Sequence, residues 1–318
     1  MDRLGEGGKD KMLFVSFVYV LLVIYMISEA EQHVEESESL EQNVYIIAHR
    51  GASGYAPENT MASFEKAVEL KADYIEMDIQ MTKDGELVVF HDFDVSRTTN
   101  GSGAIKNFSL KDLKELDAGS WFHSTFKSEK IPTLKEVLSL YKHRIGLLIE
   151  LKDPVHYPQV EEKLAQELIK AKLHKCKDHS IIVQSFDPLS IQKFHQILPE
   201  IPTAILTTSI LSRKSLSNVS SFCQYVNPHF LSVSPHYVKE LKEKELNSFI
   251  WTVNHIEDFK KITKYDINGI ITDYPDLGKH YKTKQTTFFQ NSNQFITFIK
   301  KAYQAFVEII EKIEKVNI

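Results

Sequence analysis

Between Val44 and Thr272, short apolar runs alternate with amphipathic stretches, and this alternation constrains the fold more than any other feature. The runs are Val44–Ala48, Tyr74–Ile79, Ile145–Leu151, Ile181–Gln184, Thr203–Thr207, Phe230–Val233, Phe249–Val253 and Gly269–Thr272. Helical periodicity fills most of the gaps, over Met61–Leu70, Leu134–Tyr141, Gln159–Leu173, Pro188–Gln196 and Glu257–Lys264. Eight strands in βα order predict an α/β fold, a (β/α)8 TIM barrel. An open doubly wound sheet is the alternative, weakened by the lack of any Gly-rich phosphate loop. The 318 residues accommodate one such domain, which runs ~250 residues.

Barrel enzymes carry their chemistry at the C-terminal ends of the strands. His49 and Arg50 stand at the end of the first run, before a Gly- and Pro-containing loop that leads to Glu58-Asn59. A titratable imidazole beside a permanent guanidinium charge suits an anionic substrate. In the second run Glu76 and Asp78 alternate with apolar residues and so share one face. Glu150 and Lys152 in LIELKD alternate in the same way; a plain ion pair is the competing reading of those two. Gln184 falls at the end of one later run and Trp251 within another, where core packing competes for the tryptophan.

Leu87–His91 is a further apolar run, joined to the second strand by Asp84-Gly85, a hairpin-turn dipeptide. A two-residue turn would pair position 83 with 86 and set His91 opposite Asp78. The run then reads as an antiparallel return strand above the barrel, not a ninth stave. Three carboxylates facing one cavity repel one another unless a cation lies among them. An all-oxygen ligand set suits one divalent ion, Mg2+ or Ca2+, rather than Zn2+. Such an ion with Arg50 and Lys152 would stabilise the charge that develops on an anionic substrate under attack. His49 and His91 fit an acid and a base for such a reaction.

The motifs HRGASGYAPENT and EMDIQMTKDGELVVFHD resemble those of the glycerophosphodiester phosphodiesterase family, and the likeness runs from about Tyr45 to Tyr274. The resemblance implies His49 and His91 as acid/base catalysts and Glu76, Asp78 and Glu150 as metal ligands. It leaves Glu58 as either a further ligand or a hydrogen-bond partner of Arg50. The implied reaction is metal-dependent hydrolysis of glycerophosphodiesters to sn-glycerol 3-phosphate and an alcohol. Arg50, Lys152, Gln184 and Trp251 would bind the small-molecule or lipid phosphodiester. Lysophospholipase D-like activity on membrane lysophospholipids is a rival within enzymes. A catalytically inactive membrane-associated barrel is the rival outside them. The family also has an insertion where this chain carries the turn-rich segment Asp92–Pro132, a length that usually caps a site.

Residues 1–30 read as a signal peptide or membrane anchor, residues 43–281 as the barrel and residues 282–318 as a linker with an amphipathic helix. Met12–Ile27 is apolar apart from Ser16. As a helix it spans ~24 Å, short of a ~30 Å hydrocarbon core and slightly long for a signal sequence's apolar core. Possible membrane association rests on this segment, and either reading exports the catalytic part. Near the other end Ile296, Ile299, Tyr303, Phe306, Ile310 and Ile313 recur as a narrow helical stripe. A net charge of −5 gives no basic footprint for nucleic acid. Cys176 and Cys223 lie far apart and in no metal-type spacing, so two free thiols are expected.

Overall fold

A computed structural model describes residues 44–175 and 180–278, together with Tyr25, Ser28, residues 297–301 and Gln304. Contacts divide the chain into two units, Gln42–Tyr281 and the paired ends Met1–Glu41 with Lys282–Ile318. In the second unit residues 297–301 and Gln304 are helical, as are Tyr25 and Ser28. The remainder of the apolar segment 12–27, of the segment 1–30 and of the stripe in 282–318 lies outside the described residues, as does Cys176. Among the described residues no helix is long and apolar enough to cross a membrane.

The larger unit is a (β/α)8 barrel. Its strands are β1 (Tyr45–Ala48), β2 (Tyr74–Met81), β4 (Gly146–Leu151), β5 (Ile181–Ser185), β6 (Thr203–Thr207), β7 (Tyr225–Pro228), β8 (Phe249–Ile250) and β9 (Gly269–Thr272). The short β3 (Leu87–Val89) pairs antiparallel with β2, off the ring. Around the ring the order is β7-β6-β5-β4-β2-β1-β9-β8. Two parallel bridges, Tyr225 with Asn247 and His229 with Trp251, close it. The helices between strands are α1 (Met61–Glu69), α3 (Leu134–Tyr141), α4 (Val160–Lys170), α5 (Pro188–Ile197), α6 (Arg213–Val219), α7 (Pro235–Lys242) and α8 (Ile256–Ile262), while α2 (Leu110–Glu115) belongs to the insertion.

The period-2 alternation of the strands decides what fills the barrel. Ile47, Tyr74, Leu148, Ile182, Ala204, Tyr225, Phe249 and Ile271 pack together as a buried inner plug. Their neighbours Ala48, Ile75, Met77, Leu147, Ile149 and Val183 face outward, into the core shared with the helices. Two or four residues beyond the plug, the inward places on β2, β4 and β5 go to Glu76, Asp78, Glu150 and Gln184. Register brings them side by side, with Asp78 opposite Glu150 and Glu150 opposite Gln184. A single strand face thus changes from apolar to acidic along its length. The plug, at about 1.5–3 kcal/mol per large buried side chain, offsets the cost of holding charges above it.

Three expectations need correction. The Asp84-Gly85 turn is not a two-residue turn: Thr82 N donates to Glu86 O at 2.9 Å, leaving residues 83–85 as the loop. Gly85 holds φ +77°, which closes a three-residue loop with a left-handed last residue. The register therefore slips by one, and Phe90, whose N donates to Asp78 O at 2.9 Å, lies opposite Asp78 in place of His91. The sixth barrel strand is β7, Tyr225–Pro228, not Phe230–Val233; Phe230–Ser232 is a 3-10 turn. Asn227 and Pro228 read as breakers, but Asn227 is fully buried and its Nδ2 donates to Gln184 Oε1 at 2.9 Å. The strand expected over Phe249–Val253 stops at Ile250.

The insertion folds on its own small core. Val88 and Phe90 from the β3 segment pack there with Val95, Ile105, Leu113, Ala118 and Ile131. Cys223 is buried with its thiol free, and burial pushes that thiol up to about 12.

Candidate active site

The acids at the upper end of β2 and β4 form the centre. Oxygen atoms of Glu76, Asp78 and Glu150 lie within 4.8 Å of one another, and all three residues are buried. Burial, and then the charges of Asp78 and Glu150, raise the Glu76 carboxyl well above its ordinary value. Burial and then Asp78 lift Glu150 to about 8, although Lys152 works in the opposite direction. Asp78 goes the other way: burial would raise it, but Arg50, Lys152, His91 and the Asn59 amide hold it well below the usual range. A buried, all-oxygen, mutually repelling set of this size can hold one cation, whose charge would relieve the repulsion.

Cationic groups ring the acids. Lys152 Nζ donates to Glu150 Oε1 at 2.9 Å and lies 3.6 Å from Asp78 Oδ1. Lys152 is therefore ion-paired, and its Nζ also lies 5.8 Å from the centre of the Phe186 ring. Arg50 has φ +56°, a left-handed turn at the strand end. That turn aims its backbone N at Glu76 Oε2, 2.8 Å away. Its Nη1 donates to Glu58 Oε1 at 2.9 Å, so Glu58 is a partner of Arg50. Its Nε, 3.5 Å from Asp78 Oδ2, is buried without a hydrogen-bond partner. Such an orphan donor beside a charged cavity is where an anionic oxygen would be accepted.

Both histidines are oriented by carboxylates. His49 Nδ1 lies 2.6 Å from Asp273 Oδ1, and His91 Nδ1 lies 2.6 Å from Asp92 Oδ1. A hydrogen bond at Nδ1 fixes the tautomer and leaves Nε2 for the cavity. Burial is the main reason His91 titrates below 6.5, with Asp78 opposing it.

Gln184 and Trp251 stand on the other wall. Gln184 sits beside Glu150 with its Oε1 engaged by Asn227. The Trp251 indole N donates to Asn227 O at 2.7 Å. Its ring meets Phe186 and His229 edge-on, at centroid distances of 5.6 and 4.9 Å. Trp251 thus belongs to an aromatic wall that reaches from Lys152 through Phe186.

Several further residues have a role at the site that the sequence does not assign to them. Asp273 accepts from Ser53 Oγ at 3.0 Å and from Asn254 Nδ2 at 2.6 Å, besides holding His49. Asn59 Nδ2 donates to Asp78 Oδ2 at 2.8 Å. Arg97 donates to both Asp92 and Glu58. Asp273 had a signal: it follows the last strand directly, and a closed barrel places that strand beside β1. For Arg97, inside an aperiodic insertion, there was none.

Comparison with known proteins agrees with this fold. The chain is 46% identical over 244 residues to the Bacillus subtilis protein YhdW, covering 74% of this chain and 99% of that one. It is 40% identical over 233 residues to a glycerophosphodiester phosphodiesterase of Caldanaerobacter subterraneus, covering 73% and 94%. Among solved structures it resembles an Oleispira antarctica phosphodiesterase in complex with the product sn-glycerol-3-phosphate. That likeness has a TM-score of 0.67 and 31% identity, over 74% of this chain and 95% of that one. Residues 49–277 match the glycerophosphoryl diester phosphodiesterase family model, and the chain belongs to that family.

Proposed function

We propose that this protein hydrolyses glycerophosphodiesters to sn-glycerol 3-phosphate and an alcohol, with one divalent cation, Mg2+ or Ca2+, held by Glu76, Asp78 and Glu150. The observation that carries the reading is the buried triad, flanked by two histidines that each have a carboxylate on Nδ1. When bound, the cation would polarise the phosphoryl group and offset its charge. Arg50 and Lys152 bind and orient the phosphate, and Arg50 Nε, buried without a hydrogen-bond partner, is a donor left free for it.

The histidines divide the proton work. One imidazole takes a proton from the attacking oxygen as the new O–P bond forms. The other gives a proton to the alkoxide as the P–O bond to the alcohol breaks. Asp273 and Asp92 hold the two rings for these transfers. The substrate class is supported by the family and by the product bound in the Oleispira antarctica structure. His91→Ala tests the assignment: turnover of glycerophosphocholine should fall by about 100-fold or more. Near wild-type turnover by that variant would remove His91 from the acid/base pair.

A further inference from the structure

We propose that Arg97 is a positioning residue that sets the geometry of His91 and Arg50 together, by clamping Asp92 and Glu58 with one guanidinium. The inference rests on the phosphodiesterase reading above, and adds to it a residue outside the barrel.

Arg97 Nε donates to Asp92 Oδ2 at 2.5 Å, and its Nη2 donates to Asp92 Oδ1 at 3.0 Å. On the other side Nη1 reaches Glu58 Oε2 at 2.9 Å and Nη2 reaches Glu58 Oε1 at 2.7 Å. Both contacts are bidentate, the geometry in which an arginine–carboxylate pair is strongest and most directional. Each carboxylate has one other side-chain partner, and in each case it is a site group. Asp92 holds His91 Nδ1 and Glu58 holds Arg50 Nη1. One guanidinium thus stands behind an acid/base imidazole and a phosphate-binding cation that come from different strand ends.

The donor count separates positioning from substrate binding. A guanidinium has five N–H groups, and four of these are already committed to the two carboxylates. Lysine could not replace it, because a point charge with three donors on one nitrogen cannot grip two carboxylates in this way. An exposed ion pair is ordinarily worth little. Here Glu58 is only 13% exposed, and removing the guanidinium would leave Asp92 without a permanent cation and Glu58 with Arg50 alone.

The position of Arg97 is set by the insertion. It ends the 3-10 turn Val95–Arg97, whose cap Asp94 accepts from Ser96 N at 2.9 Å and Gly103 N at 3.0 Å. Val95, two residues before Arg97, is fully buried in the insertion's own core. The Asp92–Pro132 segment therefore does more than cover the mouth of the barrel: its folding delivers the clamp.

The test compares wild type, Arg97→Ala and Arg97→Lys, with Arg144→Ala as a control. Arg144 makes a bidentate pair with Glu65 at 2.9 and 2.7 Å on an exposed surface. Release of sn-glycerol 3-phosphate from glycerophosphocholine gives kcat and KM, and 15N spectra report the His91 ring. Both Arg97 variants should lose about 10- to 100-fold in kcat with KM within about 3-fold of wild type, and Arg144→Ala should match wild type. Added guanidinium should recover part of the Arg97→Ala loss. Unchanged kcat in the folded variants would overturn the proposal. A raised KM at constant kcat would do so too, by making Arg97 a substrate ligand. Should Arg97→Ala not fold, Arg97→Lys carries the same expectation. Should wild type turn over no phosphodiester, the functional reading fails by itself. The His91 15N shifts then decide the clamp: a changed Nδ1 signal in Arg97→Lys supports it, and an unchanged one overturns it.

Discussion

His49 Nδ1 lies 2.6 Å from Asp273 Oδ1, although 224 residues separate them. Barrel closure makes the contact: β1 pairs with β9 from Tyr45 against Gly269 to Ala48 against Thr272, and the two side chains follow directly. Asn254 and Ser53 hold the carboxylate from its other sides. Asp273→Asn should therefore lower kcat by about 10- to 100-fold while KM stays near wild type. A steady-state assay with glycerophosphocholine checks it, and an unaltered kcat would show that the carboxylate does not set the His49 ring.

The acidic triad makes stability depend on pH in a direction that a cation should reverse. Glu150 is lifted from 4.5 to about 8, first by burial and then by Asp78. The folded chain then keeps a proton that the unfolded chain loses, so stability falls as pH rises through that window. His91, lowered from 6.5 mainly by burial, contributes the opposite slope, but only up to 6.5. Asp78, Glu58 and Asp273 are lowered, and their contributions change only below the ordinary carboxylate range. Between pH 6.5 and 8 the cation-free protein should therefore melt at a lower temperature as pH rises. Mg2+ or Ca2+ should raise the melting temperature more at pH 8 than at pH 6.5. A melting temperature that climbs with pH in EDTA would contradict this account of the triad.

Glu150→Gln separates the two roles of that residue. It removes the charge that crowds Asp78, so the cation-free variant should melt no lower than wild type at pH 8. It should also lose most of the cation-dependent rise, since a carboxamide is a weaker ligand than a carboxylate. Thermal melts of both proteins with and without cation test the pair of expectations. A full cation response in the variant would place the ion elsewhere.

Two glycines give a graded test of the backbone at the site. Gly51 has φ +80°, and a Cβ there would lie 2.3 Å from Ser63 Oγ. Ser63 Oγ also donates to Arg50 O at 3.0 Å, so a displaced Ser63 disturbs the Arg50 turn. Gly85 has φ +77° with nothing within 4 Å of a Cβ. Gly85→Ala should cost only the backbone term, about 1–2 kcal/mol. Gly51→Ala should cost about 2 kcal/mol or more, because overpacking adds to it. Urea midpoints at unchanged m-value would measure both, and equal losses would show that the Ser63 contact carries no strain.

What the sequence disclosed follows from what has a period. Alternation on β2 and β4 was enough to put Glu76, Asp78 and Glu150 on one inward face, because side-chain direction in a strand is local. The return strand was legible, but its register was not: Asp84-Gly85 closes a two- or a three-residue loop equally well, and one residue separates the outcomes. The Tyr225–Pro228 strand is not legible in sequence, because the partner that lets Asn227 sit buried in it, Gln184, comes from another strand. Asp92 and Arg97 lie in the insertion, where no periodicity tells which side chains turn toward the barrel mouth. Their roles come from tertiary contacts alone.

The central claim is cation-dependent cleavage of a glycerophosphodiester by this barrel. Purified protein, stripped with EDTA and then supplied with Mg2+ or Ca2+, is incubated with glycerophosphocholine, and sn-glycerol 3-phosphate is measured. Steady release is expected with one or both cations, and loss of release in excess EDTA. Release that continues undiminished in EDTA, or none with either cation, would contradict it.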